Sequence, residues 1–227
     1  MKCQLYWTAV EELPPAEVWE YYREQLPPAL GKRLRQYPTL WDRHQSLCGK
    51  LLLQRALNEL QGTDDTDYLK LLDYTSKGRP YLCGRLNTDF NISHSGRIVA
   101  CAVVKGGCVG LDVQQEVPIS SQLAQLFLSK EEWSRISTTA TNDQLIRIWA
   151  KKEAITKATG DGLSVSFSKI SLGQHQYQVG TERPIRTKEV FLSSGYACFI
   201  ASDQKVSALA THYVPAHDLL LNMSIPC

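Results

Sequence analysis

The spacing of apolar and polar positions along the chain predicts alternating β and α segments. Residues 4–10 read as a first strand. Pro14-Pro15 and Pro27-Pro28 bracket a short helix carrying Trp19, Tyr21 and Tyr22, because proline is tolerated at a helix start and just past its end. Over residues 42–60, Leu47, Leu51, Leu57 and Leu60 recur at helical spacing, with Asp42 as the expected N-cap and a stop at Gly62. Residues 69–74 read as a strand and residues 76–80 as a turn. Residues 90–95 lead into a Val- and Ala-rich run over 97–104, and Gly106-Gly107 joins that run to residues 108–113, which predicts a hairpin. Helices are expected over 120–136 and 143–159, the second stopped by Gly160-Asp161-Gly162, and residues 163–210 return to a strand-like pattern with polar turns. Ser95-Gly96 ahead of one strand is echoed by Ser194-Gly195 ahead of another, and helices precede each. Two similar α+β halves meeting near residue 106 account for the echo.

Composition narrows the class. A chain of 227 residues fits one large domain or two of roughly 100 residues each. The 43% hydrophobic and 21% charged fractions exclude a disordered or collagen-like chain, and a core of this size needs no metal or disulfide staple. A net charge of +2, from 25 basic against 23 acidic residues, is too even for bulk nucleic-acid binding. It leaves small anions to local basic stretches such as Lys32, Arg33 and Arg35. The seven cysteines contain no C-x-x-C pair and are odd in number, which argues against zinc-ribbon and redox motifs and for reduced thiols in the cytoplasm. Glu11 and Glu12 interrupt any leader-like stretch, the apolar run 98–104 is too short to cross a bilayer, and Ser-Ile-Pro-Cys at the end is no prenylation signal. No membrane partner is expected.

Three segments can carry chemistry. Asn91-Ile92-Ser93-His94-Ser95-Gly96 offers hydroxyls, an imidazole and backbone N–H groups to a phosphate, although a local turn uses the same residues. In Gly110-Leu111-Asp112-Val113-Gln114 the strand period puts Asp112 and Gln114 on one face, where a carboxylate and an amide oxygen suit a hard cation; a half-exposed polar face looks alike. In the predicted second helix Trp149, Glu153 and Lys157 stack at i, i+4 and i+8, which also describes an ordinary exposed Glu–Lys pair.

Together with G-R-P at Gly78 to Pro80, the runs F-N-I-S-H-S-G (Phe90 to Gly96), G-L-D-V (Gly110 to Val113) and W-A-K-K-E-A-I-T-K (Trp149 to Lys157) occur in the order of one known family. The chain resembles the 4′-phosphopantetheinyl transferase superfamily, in its Sfp-like (surfactin-synthetase-type) class. The resemblance implies an α+β fold of two similar subdomains related by a pseudo-twofold, residues 1–106 and 107–227, each a small antiparallel sheet packed on helices with the site between them. It implies transfer of the phosphopantetheine arm of coenzyme A to a serine of an acyl, peptidyl or aryl carrier protein of fatty-acid, polyketide or nonribosomal-peptide assembly. It further implies Mg²⁺ (with Mn²⁺ as a substitute) as the cofactor, 3′,5′-adenosine bisphosphate as the second product, and a cytoplasmic monomer. Asp112, Gln114 and Glu153 match the metal ligands, and many relatives have a glutamate where Gln114 stands. Glu153 matches the base and Lys157 the group facing the leaving bisphosphate, with Lys152 as a further phosphate contact. Arg33, Ser46, Gly78, Arg79, Pro80, Ser93 and His94 match the coenzyme A contacts. Two competing readings are a coenzyme A-binding protein without turnover, suggested by Gln114, and a serine hydrolase using Ser93 or Ser95 with His94, which lacks G-x-S-x-G.

Overall fold

The computed structural model describes residues 1–63, 66–84, 86–136, 140–170 and 184–221. The predicted strand-like region 163–210 therefore lies partly outside the described residues, as does Cys227. The chain opens with strand β1 (Lys2–Ala9) and helices α1 (Ala16–Gln25), α2 (Pro28–Leu34) and α3 (Leu40–Gln61). Pro27 and Pro28 start α2 rather than ending the helical region, because the first helical position needs no N–H. Helix α3 begins two residues before the expected cap. Thr39 accepts from the Asp42 N–H at 3.0 Å while its hydroxyl donates to the Asp42 carboxylate at 2.7 Å, so Asp42 is the first-turn acid and not the cap.

A one-turn 3-10 helix (Tyr68–Leu71) precedes the ribbon of β2 (Leu72–Tyr74) and β3 (Pro80–Leu82), followed by β4 (Thr88–Ser95) and β5 (Ile98–Lys105). The second half runs β6 (Val109–Gln115), α4 (Ser121–Phe127), α5 (Lys130–Ile136), α6 (Asn142–Thr159), β7 (Arg186–Glu189) and β8 (Tyr196–Ser202). The single helix expected over 120–136 is two, because Ser129 starts a new one: its Oγ accepts from the Glu132 N–H at 3.2 Å and Glu132 accepts in turn from the Ser129 N–H at 2.8 Å. Strand β9 (Ala208–Tyr213) and helix α7 (Ala216–Leu221) end the described chain.

The strands form one sheet ordered β4-β5-β1-β9 and another ordered β6-β8-β7. The halves repeat each other: strand, helices, then two antiparallel strands of which the second takes the centre of its sheet. Gly96 and Gly195, at φ of 56° and 76°, enter the central strands β5 and β8 through equivalent turns. The expected β5–β6 hairpin is absent. Both edges of β5 are already taken, by β4 and β1, so the Gly106-Gly107 turn carries the chain from one sheet to the other. At the end of the chain β9 pairs in parallel with β1, and Val214 and Leu219 join the N-terminal core.

Helix α3 covers one sheet through Leu47, Leu51 and Leu57, and α6 covers the other through Ala150, Ala154 and Ile155. Between the sheets Cys3, Leu5, Ala100 and Ala102 meet Leu111, Val113 and Ile200. At one margin this apolar layer gives way to a polar seam. Strand β6 has an unpaired edge there, and alternate side chains of β4 accept its N–H groups. Asp89 takes Val109 at 2.7 Å, Asn91 takes Leu111 at 3.2 Å, Ser93 takes Val113 at 3.2 Å and Ser95 takes Gln115 at 3.0 Å. Side chains thus do for this edge of β6 what a neighbouring strand's carbonyls would do.

Replacing Asn91 with Ala leaves the buried Leu111 N–H without its acceptor. We expect a loss of about 1–3 kcal/mol, read as a lower urea midpoint at unchanged m-value.

Candidate active site

The seam brings distant residues together. Strand β6 presses so closely on α6 that a Cβ on Gly110 would collide with the backbone of Ala154 and Ala158. Glycine at this position therefore sets how near the next outward residue of β6, Asp112, can stand to α6. Asp112 is only 2% exposed. Its Oδ1 accepts from the Ser93 hydroxyl at 2.9 Å and from Lys157 Nζ at 2.6 Å, and Lys157 also reaches Ser93 Oγ at 3.1 Å. The other oxygen, Asp112 Oδ2, is buried with no hydrogen-bond partner.

Glu153 lies one turn before Lys157 on α6. Burial pushes its carboxyl pKa up, Lys157 pulls it down and Asp112 pushes it up again. The charge of Asp112 thus acts on Glu153, which puts the two acids within electrostatic reach of each other. An unpartnered buried carboxylate oxygen beside a second, partly desolvated carboxylate is an electrostatic arrangement that a cation completes. Among the described residues no cluster of three or more His, Cys, Asp or Glu side chains could hold a metal. The donors here are two carboxylates and the amide of Gln114, whose Oε1 accepts from Ser95 Oγ at 3.4 Å. That set fits a hard cation held by few protein oxygens, with water and ligand phosphates completing its shell.

Ser93 has one proton and two acceptor positions, all used by Asp112, Val113 and Lys157. It acts as a clasp between the halves and is neither a free phosphate donor nor a free nucleophile. His94 projects from the opposite face of β4, so it cannot act as a base for Ser93, and the hydrolase reading fails on geometry. Burial is the main cause lowering the His94 pKa, and Lys157 and Lys50 add to it against Asp42 and Asp112. His94 thus faces cations from both α3 and α6.

Arg79 is committed within the protein. Its guanidinium donates to Asp89 Oδ2 at 2.6 Å, to Val109 O at 3.2 Å, to Ala158 O at 2.9 Å and to Lys157 O. A cation on the last carbonyls of α6 is favourable there, and it pins the Gly78–Pro80 turn to the helix that carries Glu153 and Lys157. Gly78 itself takes φ of 83° to close that turn. Lys152, expected on a phosphate, is fully buried. Its ammonium donates to Phe127 O at 2.8 Å, Phe167 O at 3.0 Å and Glu132 at 2.5 Å, which uses all its N–H groups inside the C-terminal half. Its neighbour Glu153 instead feels the charges of Lys157 and Asp112, since successive helical residues diverge by about 100°. Arg33 lies over the Tyr74 ring at 3.8 Å, and Ser46 accepts from Lys50 at 2.8 Å. Sequence reading missed Lys50 and Asp89, and took Asn91 only as part of its polar segment. The one legible sign of Lys50 was a lysine among the leucines of α3.

The comparisons agree with this architecture. The 4′-phosphopantetheinyl transferase superfamily model matches residues 108–209, and the 4′-phosphopantetheinyl transferase N-terminal model matches residues 12–105. The chain is 30% identical over 170 residues to 4′-phosphopantetheinyl transferase Sfp of Bacillus subtilis (strain 168), covering 73% of this chain and 74% of that protein. It is 26% identical over 175 residues to 4′-phosphopantetheinyl transferase gsp of Aneurinibacillus migulanus, covering 74% and 72%. It is also 28% identical over 174 residues to the L-aminoadipate-semialdehyde dehydrogenase-phosphopantetheinyl transferase of Xenopus laevis, covering 69% of this chain and 57% of that protein. Fold and site together define a two-lobed α+β protein in which Asp112 and Lys157 of the C-terminal half bond each other and Ser93 of the N-terminal half at the lobe junction. The chain belongs to the 4′-phosphopantetheinyl transferase superfamily, in its Sfp-like class.

Gly110→Ala drives a methyl group into the α6 backbone. The expected cost is at least about 1–3 kcal/mol by chemical denaturation, because backbone cannot move aside as a side chain can.

Proposed function

We propose that the chain moves the 4′-phosphopantetheine arm of coenzyme A onto a serine hydroxyl of an apo carrier protein, with Mg²⁺ as cofactor and 3′,5′-adenosine bisphosphate as second product. The observation that carries this reading is the orphaned Asp112 Oδ2 beside Glu153, with Lys157 on the other oxygen of the same carboxylate. Asp112, Glu153 and Gln114 would hold the metal, and the bound ion would offset the negative charge of the pyrophosphate.

In this reading the carrier serine oxygen forms a bond to the β-phosphorus while the bond to the bridging oxygen breaks, and the bisphosphate leaves with that electron pair. The serine proton goes to Glu153, directly or through water. Lys157, aimed into the junction by Asp112 and Ser93, meets the charge that grows on the leaving bisphosphate. Arg33, Ser46, His94 and the Gly78–Pro80 turn line the nucleotide end.

The carrier is an acyl, peptidyl or aryl carrier protein, and the enzyme works as a cytoplasmic monomer. Among the described residues no helix is long and apolar enough to cross a membrane. Leu123 and Leu126 of α4 are 44% and 72% exposed and stand near Lys130, a mixture of apolar and basic groups suited to a small acidic partner. Phe127 is core and takes no part in that surface.

Incubation with coenzyme A, Mg²⁺ and an apo carrier protein should increase the carrier's intact mass by one phosphopantetheine arm. Coenzyme A binding without any mass gain would instead favour the non-catalytic reading that Gln114 raises. Asp112→Ala and Glu153→Gln should each lower transfer by at least about 100-fold while the circular-dichroism spectrum stays native. Near-normal turnover in either variant would falsify the site. Glu153→Gln should also raise the melting temperature of the metal-free protein, since it removes a charge that burial disfavours. Gln114→Glu should keep transfer and lower the Mg²⁺ concentration that gives half-maximal rate, because it adds a negative charge to the donor set.

A further inference from the structure

The three elements that carry Ser93, Asp112 and Lys157 are tied to one another at a second point, the guanidinium of Arg79. It donates to Asp89 Oδ2 on β4 at 2.6 Å and to Val109 O on β6 at 3.2 Å. On α6 it donates to Ala158 O at 2.9 Å and to Lys157 O. Both terminal nitrogens use both their N–H groups on these four acceptors, which leaves neither nitrogen a donor for a nucleotide. Asp89 Oδ2 also accepts from the Val109 N–H at 2.7 Å, so the carboxylate is itself held in place. The pair is largely buried, its side chains being 17% and 21% exposed. Each anchor is close in the chain to a site residue. Asp89 precedes Ser93 on β4, Val109 precedes Asp112 on β6, and on α6 the anchors are the carbonyls of Lys157 itself and of the next residue.

The end of a helix is where such a tie has consequences. The last four carbonyls of an α-helix have no partner inside it, and helix ends fray. Helix α6 runs to Thr159, so Lys157 stands in its last turn. The turn at Gly160 returns N–H groups to Thr156 O and Lys157 O. Arg79 adds a second donor to Lys157 O and meets Ala158 O, and its positive charge suits that end of the helix dipole. A guanidinium is planar and presents its N–H groups at fixed angles. It therefore sets the distances between α6, β4 and β6 as well as balancing charge. An ammonium in its place would carry the same charge at a single point on a flexible stem and would hold no such spacing.

We propose that Arg79, held by Asp89, is a positioning residue for Lys157: it fixes the last turn of α6 against β4 and β6, so that the Lys157 ammonium stands on Asp112 and Ser93. Its guanidinium touches no substrate. The proposal rests on the transferase reading only for the reaction that Lys157 serves, and the placement of Lys157 is measurable without turnover.

The test compares the full-length wild type with Arg79→Lys, Arg79→Ala and Asp89→Ala. Lys77→Ala is the control, because Lys77 joins the same turn to Asp161, just beyond α6, through a solvent-exposed bond at 3.2 Å. The first readout is the NMR spectrum of nitrogen-labelled lysine ammonium groups, in which a hydrogen-bonded ammonium gives a signal and one exchanging freely with water does not; Lys157→Met identifies the signal. Wild type and Lys77→Ala should show it, and the Arg79 and Asp89 variants should lose it. The second readout sets kcat for carrier loading against calorimetric affinity for coenzyme A. In the Arg79 and Asp89 variants kcat should fall at least about tenfold while that affinity stays within about threefold, the pattern of a misplaced group and not of a lost ligand contact. A guanidinium that bound the nucleotide would give the reverse: weaker affinity in Arg79→Ala, recovery in Arg79→Lys and an unchanged kcat. That reverse pattern, a Lys157 signal missing from wild type, retained in Arg79→Ala or lost equally in Lys77→Ala, or wild-type kcat in Arg79→Lys would overturn the proposal. Arg79→Lys serves if Arg79→Ala does not fold, and failure of both to fold also counts against it. A wild type that loads no carrier protein, yet shows a Lys157 signal that disappears with Arg79, sinks the transferase reading and leaves the positioning role standing.

Discussion

The unpaired edge of β6 governs this structure. A strand edge buried between two sheets must have its N–H groups satisfied, and here four side chains of β4 do so. Because β6 also pairs with β8 and packs against α6, the seam sets the position of the whole C-terminal half relative to the N-terminal one. The apolar layer between the sheets supplies cohesion without direction. The seam supplies register, since a slip of one residue would put Phe90, Ile92 and His94 where acceptors are needed.

The candidate active site is an extension of that seam. Ser93 belongs to both: it accepts from the β6 backbone as its neighbours on β4 do, and it also bonds Asp112 and Lys157. Arg79 plays a matching part at the other end, joining Asp89 of β4 to the carbonyls that close α6. The charged groups that would handle a pyrophosphate are thus held by the same bonds that hold the halves together. Three groups remain incompletely compensated: Asp112 Oδ2 has no hydrogen-bond partner, Glu153 is partly desolvated and Lys50 is a buried ammonium. Such groups lower stability, and binding of a ligand of complementary charge offsets that cost.

Local signals in the chain were read well where local physics decides. The α3 and α6 helices, the β4 and β5 strands and the left-handed glycine turns follow from apolar period and backbone freedom. The errors share one origin. Gly106-Gly107 does make a tight turn, but whether the strands beyond it pair depends on β1, which is remote in sequence and holds the other edge of β5. Lys152 lies in the same motif as Glu153, yet its direction depends on Phe127, Glu132 and Phe167. Asp42 and Ser129 show a finer limit, since Thr39 and Ser129 each begin a capping pattern whose signal was present but went unread.

Alone, the linear order of residues determined which side chains are available: one aspartate on a strand, a glutamate and a lysine one helical turn apart, and a serine-rich strand before them. It also determined that the chain has two similar halves, because strand and helix periods are local properties. Folding decided that Asp112, Lys157 and Ser93 meet, that Ser93 is a clasp, that Arg79 and Lys152 are internal ties, and that Lys50 is buried. Each of those facts depends on which surfaces meet across the sheets, and contact between remote segments is set by packing and by the need to satisfy buried polar groups, not by neighbours in the chain.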